Sequence, residues 1–123
     1  MCLSLRDKFQ IYTATQNIVV YKVLTPVKGR RLMPPFRCHF KYKPRTEVKE
    51  KMAQCEFDSK NHLWVTKEGL YSFALKKDAK RLTTIHSSFY IYKCIIPKGS
   101  HFMTDGKEFV SDRLIVKRKC IIQ

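Results

Sequence analysis

The chain has 123 residues, 44% of them hydrophobic and 12% aromatic, a composition that excludes an intrinsically disordered chain. Its 25 Lys and Arg against 10 Asp and Glu give a formal net charge of +15, which favours polyanionic partners. No apolar run approaches the roughly 18 residues of a membrane span, and no signal peptide is visible. We therefore expect a single domain over residues 1–123, located in the cytoplasm and without a membrane partner.

The first predicted strand comprises residues 18–24 (IVVYKVL), which are mostly β-branched or apolar, as in a buried strand. The preceding residues 1–16 are expected to form a loose N-terminal segment. After the strand ends at Thr25, residues 27–35 are predicted to form a basic loop. Residues 36–42 (FRCHFKY) then alternate between apolar and cationic side chains, which predicts a half-exposed strand with a basic outer face.

The middle of the chain carries weaker signals. Residues 47–56 are polar, with weak helix or strand potential, and residues 58–61 (DSKN) are typical of a turn. Residues 62–66 (HLWVT) predict a short strand.

One helix is predicted, at about residues 73–84. Leu75, Ala79 and Leu82 recur at i, i+4 and i+7, so they share a face that a core would bury. Ser72 is a candidate N-cap for this helix. The cations of the segment face away from the core, and they are Lys76, Lys77, Lys80 and Arg81.

The strongest strand signal lies at residues 89–96, and residues 114–116 predict another strand that extends into the C-terminal residues. Between them, Pro97 and Gly99 indicate a tight turn, followed by a strand at residues 101–104. With about five or six mostly antiparallel strands and one clear helix, the predicted fold class is α+β.

The positive charge is concentrated in clusters. No Asp or Glu occurs between Lys8 and Arg45, a second cluster lies on the predicted helix, and a third comprises residues 117–119. Clustered cations are the electrostatic footprint of a polyanion-binding surface. The candidate contacts for nucleic acid or an acidic protein are Lys28, Arg30, Arg31, Arg37, Lys41 and Lys43, followed by Lys76, Lys80 and Arg81 on the helix.

The loop after the strongest strand is a candidate anion site. Lys98, Ser100 and His101 offer a cation, a hydroxyl and an imidazole, and exposed backbone N–H groups beside Gly99 suit a phosphate. A phosphate loop also needs a helix N-terminus or further glycines behind it, and here a strand is predicted to follow. A plain turn between two core strands is the alternative interpretation.

Two further residues are candidates for catalysis. Asp112 lies beside Ser111 at the entrance to a predicted strand, where a carboxylate can act as a general acid or base. Cys2 becomes N-terminal if Met1 is removed, which pairs a thiol with an α-amino group. The five cysteines and four histidines show neither a CxxC motif nor a paired Cys–His spacing, so we predict no metal site and no cofactor.

The succession MCL, VVYKVL, GLYSF, DAKR, KCIIPKGS and SDRLIV resembles a family of small uncharacterised proteins encoded by gut bacteria and their phages. The similarity spans residues 1–116, and KCIIPKGS with SDRLIV is its most specific part. The family has no assigned activity. The resemblance therefore implies a bacterial host cell and a phage or mobile-element origin, but no mechanism.

The order of elements is also remotely similar to the ADP-ribosyltransferase fold. That fold has an arginine on its first strand and a catalytic glutamate near a strand that follows an IP-x-G loop. Lys22 and Asp112 stand at the matching positions of this chain. Both depart from the family pattern, because lysine lacks the planar fork that binds a pyrophosphate and aspartate is one methylene shorter than glutamate.

Three classes of function stay open. In the first, the chain is a small basic binding protein for nucleic acid or for an acidic host protein. In the second, it is an ADP-ribosyltransferase-like enzyme or a degenerate relative of one. In the third, it is a structural or assembly protein. The clustered charge favours the binding protein.

Overall fold

A computed structural model describes residues 4–5, 10–34, 42–50, 56–60, 62–65, 69–83 and 89–120 of the chain. Within these ranges there are twelve strands and one helix. The strands are β1 (Ser4–Leu5), β2 (Tyr12–Thr13), β3 (Ile18–Val27), β4 (Arg31–Met33), β5 (Glu47–Lys49), β6 (Glu56–Asp58), β7 (Leu63–Val65), β8 (Leu70–Phe73), β9 (Tyr90–Ile96), β10 (His101–Thr104), β11 (Glu108–Ser111) and β12 (Arg113–Lys119), and the helix is α1 (Lys76–Thr83).

The paired strands are antiparallel. Eight of them lie side by side in the order β2-β10-β11-β8-β3-β9-β12-β5, and β4 pairs with β3 to complete a nine-stranded sheet. β1, β7 and β6 form a separate sheet of three strands. The prediction of a small single domain with a mostly antiparallel sheet and one helix is confirmed. The predicted number of five or six strands is wrong, and the described part of the chain is mostly β.

The strands missing from the prediction are short. β2, β4, β5 and β11 have two to four residues each, too few for an alternation of apolar and polar side chains to repeat. Their ladder partners stabilise them instead. Within residues 1–16, which we expected to be loose, β1 pairs with β7 and β2 pairs with β10. β3 continues past Thr25 to Val27 because β4 pairs with that part of it.

The ladder between β3 and β9 is the centre of the larger sheet. Seven residue pairs join the two strands, and successive side chains alternate between the two faces of the sheet. The outer face buries Val23 and Ile91 together with Ala79 of α1. The inner face carries the larger core, which includes Val20, Leu24, Leu32, Tyr42, Cys94, Ile96, Leu114 and Val116.

α1 is shorter than predicted. It begins at Lys76, and Ser72, the predicted N-cap, lies instead in β8, where it is buried. β8 pairs with both β3 and β11, and this pairing keeps the segment extended. Ala79 is buried and Leu82 packs against the outer-face core as predicted, whereas Leu75 is 50% exposed.

The predicted strand at residues 36–42 lies outside the described residues except for Tyr42. Tyr42 forms an isolated antiparallel bridge with Leu32 and belongs to the inner core. Three residues later, the N–H of Arg45 donates to the carbonyl oxygen of Val116 at 2.8 Å, and β5 then pairs with β12. The segment that starts at Tyr42 therefore connects β4 to β12.

One cation lies inside the inner core. Lys22 is 7% exposed. Its ammonium donates a hydrogen bond to the carbonyl oxygen of Tyr71 and lies 5.1 Å from the centre of the Tyr42 ring. A buried ammonium needs polar or aromatic groups in place of its water. Lys22 thus joins β3, β8 and the segment of Tyr42 at one point.

Two neighbouring valines of β3 test which side chains of the strand lie on the inner, buried face of the larger sheet. Val20 is fully buried, whereas Val19 is 44% exposed. We expect Val20→Ala to lower the free energy of unfolding by about 2–3 kcal/mol, through lost burial and a residual cavity, and Val19→Ala to lower it by less than about 1 kcal/mol. Urea unfolding followed by circular dichroism measures both, and equal losses would contradict the assignment.

Candidate functional site

Three basic segments meet at one end of the strands β4, β3, β9, β12 and β5. They are the tip of the β3–β4 hairpin, the turn before β5, and the end of β12. The antiparallel registers place them together, because β3 and β12 finish and β5 begins at this end. We call this surface the basic rim. Its eight cations are Lys28, Arg30, Arg31, Lys43, Arg45, Lys117, Arg118 and Lys119.

The hairpin tip consists of Lys28, Gly29 and Arg30. β3 and β4 pair as far as Val27 and Arg31, so three residues reverse the chain. Gly29 has a φ of 77° and Arg30 a φ of 55°. Glycine adopts such left-handed angles without steric cost, but arginine does not. The tip lies beyond the last ladder pair, and its side chains are exposed.

The second segment is a tight turn at residues 43–46. The N–H of Thr46 donates to the carbonyl oxygen of Lys43 at 3.3 Å. Arg45 has a φ of 61°. Its N–H donates to the carbonyl oxygen of Val116, and this bond holds Arg45 beside Lys117, the next residue of β12.

The third segment is the end of β12. The register with β9 shifts between Val116 and Arg118, as in a β-bulge with one extra residue, Lys117. Beyond it, the Lys119 ammonium lies 4.5 Å from the centre of the Tyr90 ring, within the range of a cation–π contact. The contact positions one cation, while all three cations of this segment are exposed.

Little in the described structure neutralises the rim. All eight cations are exposed, and none of them forms a salt bridge with a described residue. The large apolar side chains that are exposed in the described ranges lie elsewhere, and they are Ile11, Tyr12, Val19 and Leu75. Among the described residues, the rim combines concentrated positive charge with no large exposed apolar side chain, and this combination suits a phosphate backbone better than a protein interface.

The structure brings together four of the predicted polyanion contacts, Lys28, Arg30, Arg31 and Lys43. Arg37 and Lys41 lie outside the described residues. Lys76, Lys80 and Arg81 lie on α1, which packs on the outer face of the sheet. Arg45 and residues 117–119 were recognised as basic in the sequence but were not selected as contacts. Only the pairing of β12 with β5 and β9 shows that they belong to the rim.

Two other candidates, His101 and Asp112, contact each other. One carboxylate oxygen of Asp112 accepts a hydrogen bond from the backbone N–H of His101 at 2.9 Å, and the other lies 3.1 Å from its Nδ1. The N–H of Asp112 donates to the His101 carbonyl oxygen at 3.1 Å. These bonds tie the start of β10 to the corner between β11 and β12. The pair lies at the opposite end of β12 from the rim, roughly 17 Å away along the strand.

The loop between β9 and β10 uses its own N–H groups internally. The N–H groups of Lys98, Gly99 and Ser100 donate to Asn17, Ala14 and Pro97, respectively, at 2.8 to 3.0 Å. Gly99 has a φ of 89°, as a tight turn requires, and Ser100 is fully buried. Because these N–H groups already have acceptors, the loop offers no backbone cradle for a phosphate and acts as a turn.

The remaining candidates are Lys22 and Cys2, and Cys94 is a further cysteine within the described residues. Lys22 is held inside the inner core by Tyr71 and Tyr42, so its ammonium is not presented to a ligand. Cys2 lies outside the described residues. Cys94 is fully buried, and burial raises the pKa of its thiol to about 12. The Cys94 thiol therefore stays protonated and unreactive at neutral pH.

A cavity of about 270 Å³ is lined by residues of α1 and of the hairpin formed by β10 and β11. Asp78, Asp105 and Glu108 line it together with Arg81 and Lys107. Burial raises the pKa of Glu108, and the negative charges of Asp105 and Asp78 raise it further. The cavity therefore has an acidic side, in contrast to the rim.

A shallow depression of about 460 Å³ beside Asp112 is lined by Lys49, Glu50 and Arg113. The Arg113 guanidinium donates to the carbonyl oxygen of Gly99 at 3.0 Å.

In the described ranges, no group of three or more His, Cys, Asp or Glu is arranged to hold a metal ion. None of the described helical structure is long and apolar enough to cross a membrane.

Comparisons of the chain with protein-family models, with curated proteins and with solved structures find no match. The two resemblances seen in the sequence therefore stay predictions.

The ionisation of Glu108 is open to a direct test. Folding raises the pKa of Glu108. The folded protein therefore loses stability as the pH rises from the ordinary pKa of a glutamate through the raised pKa, where the Glu108 carboxylate ionises. Glu108→Gln removes this loss, so we expect it to raise the melting temperature at pH 7 and to have a smaller effect at pH 4.

Thermal unfolding of both proteins at the two pH values measures the effect. Glu47→Gln is the matched control, because Glu47 forms a surface pair with Lys49 at 3.8 Å. It should give no gain at pH 7. An equal rise for Glu108→Gln at both pH values would show that ionisation is not the cause.

Proposed function

We propose that the protein binds nucleic acid through the basic rim and contacts the sugar–phosphate backbone without reading base sequence. The observation that carries the proposal is the convergence of eight exposed cations from three segments at one end of the sheet. Cations that neutralise phosphates release condensed counterions, and this release is the main source of sequence-independent affinity. The resemblance to proteins of gut bacteria and their phages supports a bacterial cell as the setting, with a phage or mobile-element gene.

Nucleic acid is favoured over an acidic protein by the composition of the rim. The centre of a protein interface is depleted of charged residues and enriched in apolar and aromatic ones. The described rim residues are instead exposed Lys and Arg, and the aromatic ring that contacts Lys119, that of Tyr90, is half-buried. Phosphate contacts require only donors and positive charge, which all eight cations supply.

The cations of α1 belong to the helix that packs on the outer face of the sheet. Arg81 lines the cavity that contains Asp78, Asp105 and Glu108, and these carboxylates lower the positive potential there. We therefore expect Lys76, Lys80 and Arg81 to contribute less to binding than the rim does.

Charge reversal at the hairpin tests the proposal. The double variant Arg30→Glu/Arg31→Glu should weaken binding to short labelled oligonucleotides by roughly 10- to 100-fold at about 0.1 M salt. It should also flatten the slope of log K against log salt by about 1.5, because two phosphate contacts are lost. Fluorescence anisotropy with single- and double-stranded DNA and RNA of random sequence measures both effects, and the loss should be the same for every sequence.

The matched control is Lys76→Glu/Lys80→Glu, which changes the net charge equally but on α1. We expect it to weaken binding by no more than about 3-fold, since at this salt concentration a charge that does not contact the ligand is largely screened. Equal losses in the two variants would mean that net charge alone attracts the ligand. Binding to an acidic polypeptide with no binding to any oligonucleotide would identify an acidic protein as the partner instead.

A further inference from the structure

Two arginines of the basic rim have a backbone conformation that arginine rarely adopts. Three non-glycine residues in the described ranges have a positive φ, namely Arg30 at 55°, Arg45 at 61° and His62 at 54°. In this left-handed region the Cβ atom of an L-residue crowds the following carbonyl oxygen, and glycine or asparagine is the usual occupant. Arg30 and Arg45 therefore cost folding free energy that glycine would not.

The turns themselves do not require arginine at these positions. A glycine meets a positive φ without steric strain, as Gly29 does at 77° in the same hairpin. In the described part of the chain, neither the Arg30 nor the Arg45 guanidinium has a hydrogen bond or salt bridge that would hold the turn together. Among the described residues, the two arginine side chains thus form no polar contact that would offset the strain of their backbone.

The two arginines lie close enough to contact one ligand. The antiparallel bridge between Leu32 and Tyr42 joins their segments, and both arginines lie on the same side of it. Arg30 comes two residues before Leu32, and Arg45 comes three residues after Tyr42. At about 3.3 Å per residue and about 5 Å across the bridge, their Cα atoms are at most about 22 Å apart. That distance spans at most about six successive phosphates of one strand, at about 3.4 Å per phosphate along the helix axis.

We propose that Arg30 and Arg45 are the principal phosphate contacts of the rim and that their strain is the cost of presenting them to a nucleic-acid backbone. The inference rests on the proposed nucleic-acid function and names the groups that perform it. A guanidinium presents a planar fork of donors that binds a phosphate through two hydrogen bonds, whereas an ammonium acts as a point charge. The presence of arginine at both strained positions is therefore what a ligand with phosphate groups would require.

Arg30→Gly and Arg45→Gly separate strain from binding. We expect each variant to raise the melting temperature by about 2–4 °C, because the left-handed strain is relieved. Each should also weaken binding to labelled RNA or DNA at least about 10-fold, because a charge-assisted phosphate contact is lost. Scanning calorimetry measures the first effect and fluorescence anisotropy at physiological salt measures the second.

Two controls isolate the cause. Lys28→Gly removes one charge from the same hairpin at a residue without a positive φ, so it should not raise the melting temperature, and its loss of affinity should be smaller than that of Arg30→Gly. Arg30→Lys keeps the charge and the strain but removes the fork. It should leave the melting temperature unchanged and weaken binding by roughly 3-fold.

The outcomes distinguish this inference from the proposed function. A higher melting temperature without a loss of affinity, or a loss no larger than that of Lys28→Gly, overturns the role of the two arginines. The nucleic-acid function survives that result if Arg30→Glu/Arg31→Glu still weakens binding. If the unmodified protein binds no oligonucleotide at physiological salt, the proposed function fails and the inference fails with it. Displacement of the oligonucleotide by millimolar inorganic phosphate would show a site for free anions, and would overturn the backbone contact.

Discussion

The seven-residue ladder between β3 and β9 is the constraint on which the rest of the structure depends. Its register determines which side chains enter the inner core and which lie under α1, since a shift by one residue would exchange the two faces. The same register determines where the β3–β4 hairpin lies relative to the end of β12, because β12 pairs with β9. The packing of the core and the position of the basic rim are therefore two results of one set of backbone hydrogen bonds.

The sequence predicts those parts of the fold that carry a repeated local pattern. β3 and β9 are long runs of β-branched and aromatic residues, and Gly99 adopts the positive φ that its turn suggested. β8 was partly assigned to the helix because Ser72 resembles an N-cap, but pairing with β3 and β11 overrides this local preference. The burial of Lys22 has no local signal either, since its partners Tyr71 and Tyr42 lie far along the chain.

The candidate site was predictable in its charges but not in its geometry. The sequence identifies the cations of the hairpin, yet nothing local indicates that Arg45 and residues 117–119 lie beside them, because that proximity depends on non-local pairing. The contact between His101 and Asp112 likewise depends on how β10 meets the corner of β11 and β12. The left-handed angle of Arg30 is also invisible in the sequence, since arginine is not a residue that typically marks such a turn.

The charge repulsion and the backbone strain of the rim lie at positions where they destabilise the fold least. Its cations repel one another, but they are exposed at the ends of strands, where water and salt screen them. The strain at Arg30 and Arg45 is confined to turns whose flanking contacts, the pairs of β3 with β4 and the bond to Val116, are already formed. A bound phosphate chain would relieve the repulsion without changing a single ladder pair. Binding would then stabilise the fold by mass action, and the gain would shrink as salt both screens the free rim and weakens the complex.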